Sequence, residues 1–167
     1  MDLYSIDKLM HETRQLAAKY RQATGMTLPV TGEISRFDVS KALNLKLSDD
    51  LTIGYDAVGT TGGRKGKHIL IKGRVLFEDS RSTPRIGQIK PDGRWDHVVL
   101  VLYDDNYEPI DMYEATAEDI TNAIKIKPDS NSKKRGMMSV AQFKIISKLV
   151  WTQHDGLEPE IWDNHSH

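Results

Sequence analysis

The chain of 167 residues contains no cysteine, which excludes disulfides and thiolate zinc sites outright. It also lacks a long apolar run, and no stretch approaches the roughly 20 residues that a membrane-spanning helix requires. The start, MDLYSIDKLMHETRQ, carries acids where a secretory leader has its apolar core, so no signal peptide is expected and the cytoplasm is the default location. A strong charge of one sign is missing too, the formal net charge being -1. There are no internal repeats. What remains is the composition of an ordinary globular protein, 38% hydrophobic and 28% charged, at a length that builds one core. The expected division is a single domain over residues 1–151, with an N-terminal helix at 5–24 and a core at 31–151, followed by a tail at 152–167.

The near-neutral total conceals local asymmetry, and a polyanionic partner responds to local charge. Arg64, Lys65, Lys67, His68, Lys72 and Arg74 fall in one short segment, and Lys125, Lys127, Lys133, Lys134 and Arg135 in a later linker. Either cluster alone is also what a solvated basic loop looks like.

Periodicity orders the elements. Apolar residues from Ile6 to Tyr20 recur at helical spacing, with Gly25 as a stop. TGEISRFDVSKALNLKL repeats that pattern with Thr31 as N-cap, which puts Glu33 in the first turn, where the helix dipole alone would favour an acid. LTIGYDAV reads as a short strand over Leu51–Val58, and Gly59–Gly66 as a turn. The β-branched strand His68–Phe77 places Leu70, Lys72 and Arg74 on one face and Ile69, Ile71 and Val75 on the other. Residues 78–94 are rich in turn formers and read as a loop or distorted hairpin. HVVLVLY, over His97–Tyr103, is apolar on both faces, as a central strand should be. A strand from Pro109 to Tyr113, a short helix from Thr116 to Ile124, and a last helix capped by Ser139 and ending near Trp151 complete the chain. The fold class is α/β or α+β, around a small mixed sheet of about four strands flanked by helices.

Several chemistries fail on spacing. The run ending Gly66-Lys67 resembles a phosphate loop, but Thr61 replaces its first glycine, His68 replaces its serine or threonine, and a strand follows instead of a helix. The histidines have no metal-ligand spacing, and no G-x-S-x-G nucleophile elbow occurs. Glu33, Asp56 and Lys72 remain. Two carboxylates and a lysine are what metal-assisted phosphodiester hydrolysis uses, the acids to hold magnesium and the lysine to add charge and orient water.

The segments TGEISRFDVSKALNL, GYDAV and ILIKGR, followed by WDHVVLVLYDDNYEPIDMYEA and MSVAQFKIISKL, resemble the PD-(D/E)XK nuclease superfamily, in particular its small bacterial and phage members, from about Thr31 to Leu149. The resemblance implies a restriction-endonuclease-like fold and a Mg2+- or Mn2+-dependent DNA endonuclease of restriction, repair or defence type. It makes Glu33, Asp56 and Lys72 catalytic, with Asp56, Glu33 and the Ile71 carbonyl as metal ligands. Arg64, Lys65, Lys67, Arg74, Lys133, Lys134 and Arg135 would then contact DNA, and cutting both strands would call for a homodimer. At one position the chain departs from the pattern: Leu70 stands where the family carries an acid or glutamine. That departure supports an alternative, a nuclease-like module that binds nucleic acid or a protein partner in a larger system without turnover.

Overall fold

The computed structural model describes residues 5–80, 83–89, 93–125 and 138–159. Helix α1 (Ile6–Thr24) starts where the Ser5 hydroxyl accepts the Lys8 N–H and stops at Gly25, whose φ of 74° lies in the left-handed region that glycine enters without steric cost. Helix α2 (Thr31–Leu43) follows. The strands are β1 (Leu45–Leu47), β2 (Ala57–Gly59), β3 (His68–Val75), β4 (His97–Tyr103) and β5 (Pro109–Thr116). After them come α3 (Ala117–Lys125), α4 (Val140–Ile146), β6 (Lys148–Thr152) and β7 (Gly156–Leu157).

All seven strands join one sheet in sequence order. Each pairing is antiparallel except β3 with β4. The expected central sheet of about four strands is therefore wrong: the sheet is a curled half-barrel, and α2 sits in its hollow, touching strands near both ends, β1 and β7. The extra strands escaped the sequence because they are short. Leu45 and Leu47 continue the apolar rhythm of α2 but belong to β1, and Leu149 and Val150 continue that of α4 but belong to β6. The final helix ends at Ile146, and Ser147 is already extended. Residues 51–54 form turns, so the strand expected over Leu51–Val58 shrinks to Ala57–Gly59.

Alternation along β3 and β4 splits the core into two layers. Ile69, Ile71, Val75, Val99, Val101 and Tyr103 pack with Ile34, Val39 and Leu43 of α2 and with Ala17 and Ala18 of α1. Val98, Leu100 and Leu102 pack on the opposite face with Ile120, Val140 and Phe143 of α3 and α4. Central β4 is thus covered on both sides, as its unbroken apolar run implies. A parallel β3–β4 pair obliges the chain to return along the sheet, and that return brings Ile86, Ile89 and Trp95 onto the α3–α4 face. Helix α1 rests on α2 and leaves Ile6, Leu9 and Leu16 exposed.

Gly73 lets α2 approach β3. A Cβ there would overlap the Ser35 hydroxyl and come within 2.8 Å of its Cβ. Gly73→Ala should cost about 1–3 kcal/mol in urea unfolding, as overpacked contacts do. Adding Ser35→Gly should recover part of that loss; strictly additive effects in the double-mutant cycle would show that this contact is not the cause.

Candidate functional site

Strand β2 pairs with β3 only through Ile69 and His68, so β3 has a bare outer side from Ile71 to Val75. Asp56, the residue before β2, finishes the ladder with its side chain. Its N–H donates to the Ile69 carbonyl at 2.9 Å, and its Oδ2 accepts the Ile71 N–H at 2.7 Å. Its Oδ1 takes the Arg36 guanidinium at 2.6 Å, and Arg36 also donates to the Ser48 carbonyl. A carboxylate here thus replaces a missing strand partner and anchors α2 to the sheet edge. No motif marks Arg36 in the sequence, although its place one turn after Glu33 on α2 puts both on the same side of the helix.

Glu33 is exposed in the first turn of α2, with no hydrogen bond or ion pair among the described residues. Thr31 does not cap this helix: the cap is Val30, which offers no side-chain acceptor. Lys72 is half-buried and shares the α3–α4 face with Leu70, which packs against the apolar cluster there. Its ammonium lies beside the return segment, where a Cβ on Gly87 would stand 3.5 Å away. Asp56 and the backbone of Ile71 are therefore together, Glu33 lies on α2 within the hollow of the sheet, and Lys72 lies on the other side of β3.

Of the basic residues, Lys65, Lys67 and Arg74 are exposed. Arg64 is buried, and its guanidinium makes a forked pair with Glu114 of β5, Nε to Oε2 at 2.9 Å and Nη2 to Oε1 at 2.8 Å. His97 Nδ1 meets the same carboxylate at 2.8 Å. Burial alone would raise the Glu114 pKa, but the hydrogen bonds from His97 and Arg64 and the charge of Arg64 bring it below its ordinary value. Lys133, Lys134 and Arg135 lie outside the described residues.

Magnesium asks for several oxygen donors around one point. Among the described residues no group of three or more His, Asp or Glu side chains could hold a metal ion. Asp56 already serves Arg36 and Ile71, and Leu70 offers no donor, so the described residues do not make up a magnesium site.

Beside the bare edge of β3 lies a cleft of about 500 Å³ between the end of α1, the start of α2 and the loop after β4. Arg21, Thr31, Gly73, Arg74 and Tyr107 are among its lining. Nothing in the sequence pattern singled out Arg21 or Tyr107. Tyr107 has a φ of 60°, and its carbonyl accepts a hydrogen bond from Arg14, which itself pairs with Asp38. Burial raises the Tyr107 pKa, while Arg21 and Thr31 pull the other way.

No protein-family model matches the chain, and a comparison with curated proteins finds no match. Among the described residues no helix is long and apolar enough to cross a membrane.

Proposed function

We propose that this chain is a nuclease-like module that grips nucleic acid, DNA in the first instance, without hydrolysing it, in the cytoplasm and as one component of a larger system. The observation that carries this reading is the closed state of Asp56. The carboxylate that would have to hold magnesium is an internal partner of Arg36 and of the Ile71 N–H. Leu70, at the second acid position, is part of an apolar layer. Binding to a phosphate backbone needs neither acid. It needs exposed cations, and Lys65, Lys67 and Arg74 supply them around the turn and strand beside Asp56.

The test is binding of labelled duplex and single-stranded DNA in the presence of a chelator, with a parallel cutting assay in magnesium and in manganese. Affinity should persist without metal and fall with salt. Lys65→Ala, Lys67→Ala and Arg74→Ala should each weaken binding across sequences and reduce the salt slope by about one. Metal-dependent cutting that Asp56→Ala and Lys72→Ala each abolish would replace this reading with that of an active endonuclease.

A further inference from the structure

The cleft beside β3 is a concentration of hydrogen-bond donors with no acid among its lining residues. Four independent features put them there. The first turn of α2 has no capping side chain, so the N–H groups of Thr31, Gly32 and Glu33 meet no acceptor among the described residues. These carry the positive end of the helix dipole. A Cβ on Gly32 would have no atom within 4 Å, so the approach to these groups is open.

The bare edge of β3 adds the N–H groups of Gly73 and Val75, which point away from β4 and find no acceptor in the sheet. One guanidinium borders the space: Arg21 stacks over Phe77 at 4.3 Å while bonded to Asp79, whose own side chain is 70% exposed. Asp79 is thus a replaceable partner.

The fourth feature is the one that points to a ligand. The Tyr107 side chain is wholly buried, yet its hydroxyl has no hydrogen-bond partner among the described residues. The charge of Arg21 and a polar contact with the Thr31 hydroxyl, too long or too bent for a hydrogen bond, act on it, which places it at the start of α2. An unpaired buried hydroxyl is costly, and native proteins rarely keep one without a use.

We propose that this cleft binds a phosphate group, with the first turn of α2, the Gly73 edge, Arg21 and the Tyr107 hydroxyl as its donors. Donors arriving from a helix, a strand and two side chains suit the several oxygens of a phosphate better than the two of a carboxylate. The source is either free inorganic phosphate or the terminal phosphate of a nucleic acid strand. The site stands independently of the nucleic-acid reading above, since free phosphate alone would fill it.

Titration of the full chain with inorganic phosphate, followed by amide NMR, tests it. The amides of Thr31, Gly32, Glu33 and Gly73 should shift together and saturate. Tyr107→Phe should weaken phosphate about fivefold, and Arg21→Gln about tenfold, as the loss of one neutral and one charged donor implies. Without phosphate, Tyr107→Phe should melt no earlier than the parent, because it deletes a group that has no partner. Competition by a 5′-phosphorylated oligonucleotide, but not by its 5′-hydroxyl counterpart, would identify a strand terminus as the source; failure of both to compete would identify the free anion. Amide shifts that do not saturate, or that neither variant alters, would overturn the site. So would a lower melting temperature for Tyr107→Phe without phosphate, because the hydroxyl would then be a structural bond to Thr31.

Discussion

Asp38→Ala should cost about 3–5 kcal/mol of folding stability, the range for removing one partner of a buried ion pair. Asp38 accepts three hydrogen bonds at once. Arg14 donates to Oδ1 at 2.8 Å and to Oδ2 at 2.9 Å, and the Tyr103 hydroxyl donates to Oδ2 at 2.8 Å. The Arg14 and Asp38 side chains are each only 9% exposed. Burial alone would lower the Arg14 pKa; its bonds and attraction to Asp38, helped by Glu108, raise it instead. A guanidinium is not deprotonated in proteins, so Arg14 stays charged when Asp38 is removed. The remaining acid, Glu108, is 3.8 Å away and 47% exposed, too distant and too solvated to replace the forked pair. Tyr103 would lose its acceptor as well. Asp38→Asn retains an acceptor and should lose less. Urea unfolding of both variants decides the point: a loss below about 1 kcal/mol for Asp38→Ala would place the pair among those that water screens.

The same network reaches the cleft. Arg14 donates to the Tyr107 carbonyl, which fixes a residue whose positive φ a tyrosine does not adopt cheaply. A charge on α1 thus sets where a hydroxyl stands at the start of α2. The stabilising network and the donor cluster are two ends of one construction, and a variant that loosens Asp38 should also disturb phosphate binding.

The long elements were legible because their periods are distinct. The apolar run of β4, the split faces of β3 and the Ser139 cap of α4 stand in the structure as the residues imply. The short strands were not legible, because the few apolar residues of Leu45–Leu47 or Lys148–Thr152 fit the tail of a helix as well as they fit a strand. What separates the two is pairing, and β1 exists because β2 lies beside it. The candidate site divides in the same way. The family resemblance puts Asp56 with the Ile71 carbonyl, where the structure has the Ile71 N–H instead, and the sequence does not show that Arg36 lies across from the carboxylate, or that Arg64 turns inward to Glu114. A cation is assigned to solvent by default, and only the tertiary fold reveals a buried acid waiting for it.

Glu114 is that acid, and Glu114→Gln should cost about 3–5 kcal/mol at neutral pH by leaving the Arg64 guanidinium buried against a neutral amide. The two side chains are each only 6% exposed, and the link ties the turn after β2 to β5 across the width of β3 and β4. The pH dependence follows from the direction of the Glu114 shift. Its folded pKa lies below the ordinary value of 4.5, so its contribution to stability is fully present above about pH 4.5. As pH falls through the folded pKa, the carboxylate takes a proton and that contribution is lost. The parent should therefore lose stability below pH 4.5 more steeply than Glu114→Gln, whose amide does not titrate, and the two curves should converge in acid. Unfolding free energies measured by urea titration from pH 7 downward would show this directly. Curves that stay parallel would mean that the link is worth the same with Glu114 protonated as with it ionised, which a forked pair to a buried guanidinium does not permit.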